Sequence, residues 1–325
     1  MRWPQRLGEL LLRLLGLLML AAALGFAATK APDRPLESLI ARWAPPPSDF
    51  LDLDGQLVHL RDEGPADDPL PIVLIHGTAA SLHTWEGWAA ELRKTRRVIT
   101  FDLPGFGLTG PFAGPFPADD YRDEAYLAFL GRLFDRLHLH KMVLGGNSLG
   151  GQLAWEYAVA APGRVAGLIL VDAGGYASTP QSMPLGLRLA RIPVLRNLGK
   201  HVLPHSLVEK IVRSVYGDPS RVTDERVDRY FELTLREGNR AALLRRFQQL
   251  EPGRYAAQIK TITQPTLILW GGRDRLIPPE NGQAFARDIA GSRLLSFPAL
   301  GHVPQEEDPA ATLPPVQAFL HSLKP

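Results

Sequence analysis

The sequence predicts an α/β protein organised around a mainly parallel, doubly wound sheet, and three observations carry that expectation. Short apolar runs recur at residues 72–75, 98–101, 142–144, 168–171, 266–270 and 294–297. Each is too short for a helix and nearly free of polar residues, as strands covered on both faces are. Segments of helical period separate the runs, and strands that alternate with helices pair in parallel through crossovers.

The elements follow in order. Arg2, Arg6 and Arg13 precede an uncharged run over 14–29 rich in Leu and Ala, which marks residues 1–30 as a membrane-directed segment. Its 16 residues fall between the roughly 7–15 of a signal-peptide core and the roughly 20 of a spanning helix. Extended back to Leu10, the run holds only Arg13, which can snorkel, so an uncleaved anchor is expected. Secretion after cleavage near the small residues 21–23 is the alternative. Arginines kept in the cytoplasm would place the folded domain outside it, in the periplasm of a Gram-negative cell. Residues 31–47 read as a Pro-rich spacer: a helix-like stretch at 36–43, then Ala44-Pro45-Pro46-Pro47, which cannot continue a helix.

From Ser48, residues 50–53 and 56–61 alternate apolar and polar around Asp54-Gly55, so an antiparallel hairpin opens the sheet. The core is expected over 48–176 and 261–325. Between them, 177–260 shows no strand-like run but amphipathic patterns such as Leu207-Ile211-Val215 and Tyr230-Thr234-Leu235, which predict a helical cap. That interval carries fifteen Lys and Arg against eight Asp and Glu, leaving the rest of a +2 chain at −5.

Composition narrows the function. With 325 residues and 45% apolar content, the chain can bury a large core. A net charge of +2 with no cluster of basic residues and aromatics argues against nucleic acid as a partner. The absence of cysteine excludes disulfides, thiolate metal sites and a cysteine nucleophile. His59, His83, His138, His140, His201 and His205 show no metal-ligand spacing, and no metal or other cofactor is expected.

The chemistry centres on Gly145-Gly146-Asn147-Ser148-Leu149-Gly150-Gly151, a G-x-S-x-G sequence between a strand and a helix. A serine on so sharp a turn is strained, and side chains two residues to either side would collide, hence Gly146 and Gly150. The helix that follows aims its N-terminus at the oxygen on which charge develops. His76-Gly77-Thr78 and Asp102-Leu103-Pro104-Gly105 close strands with turns. Asp172 and Asp274 each follow a strand, and His302 sits in Ala299-Leu300-Gly301-His302, with Glu306, Glu307 and Asp308 downstream. From residue 48 onward these motifs, in this order, resemble the α/β-hydrolase superfamily, close to family V bacterial esterases and lipases and to carbon–carbon bond hydrolases.

The resemblance implies an α/β-hydrolase fold with Ser148 as nucleophile, His302 as general base and Asp274, 28 residues earlier, as the acid that orients it. Asp172 is the alternative acid. The oxyanion would be held by backbone N–H groups of Leu149 and Thr78, with His76 and Asp102 structural. The expected reaction is hydrolysis of a small-molecule carboxylic ester through an acyl-enzyme. The alternatives are carbon–carbon hydrolysis of a vinylogous diketone, and a non-catalytic binding protein on the same fold. Leucines and arginines between Leu185 and Leu198 predict a cap helix packed on the core; their sharper use would be contact with an anionic membrane and admission of lipid-like esters.

Overall fold

The computed structural model describes residues 8–9, 11–20, 25, 30–177 and 202–324. The strands are β1 (Asp49–Leu53), β2 (Gln56–Glu63), β3 (Ile72–Ile75), β4 (Val98–Phe101), β5 (Met142–Asn147), β6 (Val165–Val171), β7 (Thr266–Gly271) and β8 (Arg293–Phe297). They form one sheet in the order β1-β2-β4-β3-β5-β6-β7-β8. β1 and β2 make the expected hairpin, with Leu53 opposite Gln56 across Asp54-Gly55, and β2 runs antiparallel to β4. From β4 to β8 every neighbouring pair is parallel.

Around the sheet lie α1 (Glu37–Trp43), α2 (Glu86–Leu92), α3 (Asp123–Arg136), α4 (Leu149–Ala160), α5 (His205–Val215), α6 (Asp224–Thr234), α7 (Asn239–Gln249), α8 (Pro279–Asp288), α9 (Pro304–Glu307) and α10 (Pro309–Ser322). The two-residue period of a strand divides the core. Ile72 and Leu74 join Trp85 and Trp88 of the α2 side and Val316 of α10. Val73 and Ile75 join Phe129 of α3 and Trp155 of α4 on the other face. Burial on both faces is why these strands read as unbroken apolar runs.

Two strands outrun their apolar patterns. β5 continues through Gly145, Gly146 and Asn147, because Leu74 and Ile75 of β3 pair with the two glycines and Val171 of β6 pairs with Asn147. β6 begins at Val165 and carries Gly167 opposite Val143. Pairing on both sides holds glycines that isolated propensity would assign to a turn.

Strand order reverses between β3 and β5: the chain steps from β3 outward to β4, then returns to the other side of β3 for β5. The carboxyl ends of strands at such a switch point leave a crevice. Between β6 and β7 the described residues form α5, α6 and α7, a helical insertion tied to the loop after β4 by Asn239 Nδ2, which donates to Gly107 O at 2.9 Å. Helices α5 and α6 share an apolar cluster with Val303, next to His302. α1 docks on this insertion: Leu39 and Trp43 are buried against Leu108 and Leu233, and Trp43 Nε1 donates to Glu232 Oε2 at 2.6 Å. The stretch from Leu185 to Leu198 lies outside the described residues. Residues 11–20 of the leader are helical with their leucines exposed. Among the described residues no helix is long and apolar enough to cross a membrane.

Candidate active site

Each candidate side chain sits just beyond the carboxyl end of a strand: Thr78 after β3, Ser148 after β5, Asp172 after β6, Asp274 after β7 and His302 after β8. The turn at Ser148 has φ 55° and ψ −116°. A Cβ at Gly146 would lie 2.2 Å from the backbone of Gly150, and one at Gly150 would lie 2.0 Å from the Ile75 carbonyl oxygen. Neither contact is survivable, so both elbow positions require glycine. The turn is pinned by Ser148 N–H donating to Val171 O at 3.0 Å, while Ser148 O accepts the N–H groups of Gln152 and Gly174. The serine side chain makes no hydrogen bond among the described residues.

His302 and Asp274 meet at 2.7 Å between Nδ1 and Oδ2, both largely buried. An Nδ1–H donated to the carboxylate leaves Nε2 of the neutral ring unprotonated. Asp274 is held in turn by its Oδ1, which accepts the N–H groups of Leu276 and Ile277 at 2.8 and 3.1 Å. Asn147, beside the serine, donates from Nδ2 to the His302 carbonyl at 2.9 Å and so ties the histidine loop to the elbow. Asp172 makes no hydrogen bond to His302 among the described residues; its Oδ1 accepts Gly271 N–H at 2.9 Å.

Leu149 is the first residue of α4, where helix geometry leaves N–H groups without intrahelical acceptors. The N–H of Thr78 has no acceptor among the described residues. Its turn abuts the elbow: a Cβ at Gly77 would come within 3.1 Å of Ser148 Cβ. His76 is fully buried, with Nδ1 at 2.7 Å from Gly77 O and Nε2 accepting Leu103 N–H at 2.9 Å. Burial pushes its imidazole toward the neutral form, against the pull of Asp102. Asp102 accepts from Leu82 N–H, Leu108 N–H and His59 Nδ1, which fastens the neighbouring turn. Burial opposes its charge, but His59 offsets this and holds the carboxyl below its ordinary range.

Sequence reasoning missed Asn147 and the role of Glu307. Glu307 accepts Gly301 N–H at 2.8 Å, Gly217 N–H at 2.9 Å and Asp218 N–H at 2.8 Å, joining the histidine loop to the chain just after α5. His302 N–H itself donates to Val215 O at 2.7 Å. An acid run downstream of His302 was the only available signal.

The model of the alpha/beta hydrolase fold family matches residues 71–309, most of the chain. The chain belongs to the α/β-hydrolase family. This α/β-hydrolase is 31% identical over 259 residues to a 2-hydroxy-6-oxo-2,4-heptadienoate hydrolase of Pseudomonas putida, covering 77% of the chain and 88% of the relative. It is 29% identical over 272 residues to a 2-hydroxy-6-oxononadienedioate/2-hydroxy-6-oxononatrienedioate hydrolase of a Pseudomonas species, covering 80% and 92%. Among solved structures, a thermophilic esterase from Thermogutta terrifontis superposes with a TM-score of 0.68 at 26% identity, over 84% of this chain and 98% of the esterase. The protein is therefore a hydrolase, similar both to proteins named as hydrolases of 2-hydroxy-6-oxo-dienoates and to an esterase.

Proposed function

We propose that the protein hydrolyses carboxylic esters through an acyl-enzyme on Ser148. What supports this reading is the strained turn at Ser148, the Asp274–His302 pair at 2.7 Å, and the bond of 2.9 Å from Asn147, beside the serine, to the His302 carbonyl. Ser148 Oγ attacks the ester carbonyl while its proton passes to His302 Nε2, and Asp274 stabilises the imidazolium. The oxyanion accepts from Leu149 and Thr78. Collapse expels the alcohol, which leaves with the proton from Nε2. Water then gives a proton to Nε2 as it attacks the acyl carbon, and the acid departs as that proton returns to Ser148.

The names of the two Pseudomonas relatives favour a second reading, carbon–carbon hydrolysis of a 2-hydroxy-6-oxo-dienoate.

The test is turnover of p-nitrophenyl esters from acetate to palmitate, beside 2-hydroxy-6-oxo-2,4-heptadienoate, by the full chain and its Ser148→Ala and His302→Ala variants. Ester turnover that falls roughly 10⁴–10⁶-fold in both variants is expected. Turnover of the dienoate alone would replace the ester reading with the second one. Labelling by a fluorophosphonate that persists in Ser148→Ala would remove the nucleophile assignment, and absence of both labelling and turnover would favour a non-catalytic binding protein.

We further propose that the N-terminal segment anchors the protein at a membrane, with the catalytic domain extracytoplasmic. The leucines of residues 11–20, such as Leu12 and Leu18 at 70% and 67% exposed, are not covered by other protein surface among the described residues. Full-length protein should pellet with membranes in high salt, and its catalytic domain should be open to protease added outside the inner membrane. Recovery in a soluble cytoplasmic fraction would defeat this assignment.

A further inference from the structure

Two strand-ending aspartates lie beside the histidine, and only Asp274 reaches the imidazole. The carboxylate oxygens of Asp172 and Asp274 and a ring nitrogen of His302 lie within 4.8 Å of one another. Asp172 is 0% exposed. Its backbone is held at φ 43° with N–H donating to Leu269 O at 3.0 Å, and its Oδ1 accepts Gly271 N–H. Its Oδ2 is buried without a hydrogen-bond partner among the described residues.

An oxygen so placed is a donor site in waiting. Two carboxylates that close cannot both ionise out of water, so the pair retains a proton. Hydrogen bonding decides where it resides. Asp274 accepts three N–H donors, from Leu276, Ile277 and His302, whereas Asp172 accepts one. A carboxylate offers about four acceptor positions, which leaves Asp274 room for one more donor. The other groups facing Asp172 supply no cation: beyond Asp274 and His302 there is Glu307 of α9, and no Lys or Arg pairs with Asp172 among the described residues. Burial, and then the charge of Asp274, push the Asp172 carboxyl well above its ordinary range.

We propose, on the serine-hydrolase reading above, that Asp172 is a positioning residue: a neutral carboxylic acid whose Oδ2–H donates to the Asp274 carboxylate. Acid, carboxylate and imidazole then form one hydrogen-bonded chain. The extra donor fixes the Asp274 plane against His302 Nδ1, and the imidazole faces one negative charge in place of two.

The decisive comparison is wild type, Asp172→Asn and Asp172→Ala. Two readouts are used: the titration of the His302 ring by NMR, assigned by its loss in His302→Ala, and the pH profile of kcat/KM. Asparagine can accept Gly271 N–H through Oδ1 and donate to Asp274 through Nδ2. Asp172→Asn should therefore leave both the ring midpoint and the acid limb where wild type has them. Asp172→Ala removes the donor and should lower kcat by roughly tenfold with little change in KM. A midpoint that drops by about 1–3 pH units in Asp172→Asn, as loss of a nearby negative charge requires, would overturn the proposal. So would an Asp172→Ala protein identical to wild type in kcat and in both profiles. If alanine does not fold, the asparagine titration alone decides. That titration needs no substrate, so a chain that cleaves no ester, or a Ser148→Ala variant that remains active, defeats only the serine-hydrolase reading.

Discussion

Ser148 occupies a backbone conformation that costs about 1–3 kcal/mol for a residue with a side chain, at φ 55°. The surrounding structure enforces it. Val171 O and the N–H groups of Gln152 and Gly174 hold the turn, and Gly146 and Gly150 let β3, β5 and α4 approach within distances that exclude a Cβ. This much was legible in the pentapeptide, because the sterics of a strand-to-helix turn leave glycine as the only residue for those two positions. The choice between Asp172 and Asp274 was less legible. Both follow apolar runs that end at the same sheet edge, and spacing along the chain does not state which carboxylate reaches the ring. The distance of 2.7 Å from Asp274 Oδ2 to His302 Nδ1 supplies what spacing lacked. Asn147 was hidden in the variable position of the motif. Its amide matters only once the histidine loop, 155 residues later, folds back on it.

At the scale of elements, the segment after α5 and the loop after β8 behave as one unit. Val215 O accepts His302 N–H, and Glu307 gathers the N–H groups of Gly217, Asp218 and Gly301 on one buried carboxylate. The packing leaves no slack, since a Cβ at Gly301 would lie 2.3 Å from Val215 O. Three hydrogen bonds to Glu307 and the bond from His302 N–H to Val215 O thus tie the backbone at 215–218 to the histidine loop. Glu307→Ala strips an acceptor from three backbone donors, at about 1–3 kcal/mol for each left buried and unpaired. The expected outcome is a lower melting temperature together with a drop in kcat of tenfold or more that exceeds any change in KM. Glu307→Gln, which keeps one carbonyl oxygen, should fall between. Melting curves and ester kinetics on the two variants check this, and a wild-type kcat in Glu307→Ala would show that the latch does not position the histidine. The helices and strands themselves were readable from periodicity, while this latch was not. Its partners lie about ninety residues apart, and neither carries a pattern of its own.

Across the whole molecule, the basic insertion rests on an acidic body, an asymmetry visible in residue counts although its pairings were not. Arg221 meets Asp308 at 2.9 Å, Arg229 meets Glu306, and Arg246 meets Asp123 at 2.7 Å. The last pair brings a complication. Glu156, two turns along α4 from the elbow, is buried with Oε1 bonded to Gln152 Nε2 at 2.9 Å and Oε2 without a partner among the described residues. Burial, reinforced by Asp123, pushes its carboxyl up to about 8. In the unfolded chain the same group titrates near 4.3. Between those values the folded state holds the proton more tightly, so the stabilisation is complete below about 4.3 and is lost as pH rises toward 8. The limiting slope is about 1.4 kcal/mol per pH unit, and coupling to Asp123 spreads it over a wider range. Glutamine at 156 keeps the contact with Gln152 and has no proton to lose. The melting temperature of Glu156→Gln should match wild type near pH 4.5, exceed it progressively from pH 5 to 8, and hold a constant margin above that. A difference that stays flat from pH 5 to 9, or a variant less stable than wild type at pH 9, would mean that Glu156 is charged in the folded protein at neutral pH and paired with Arg246.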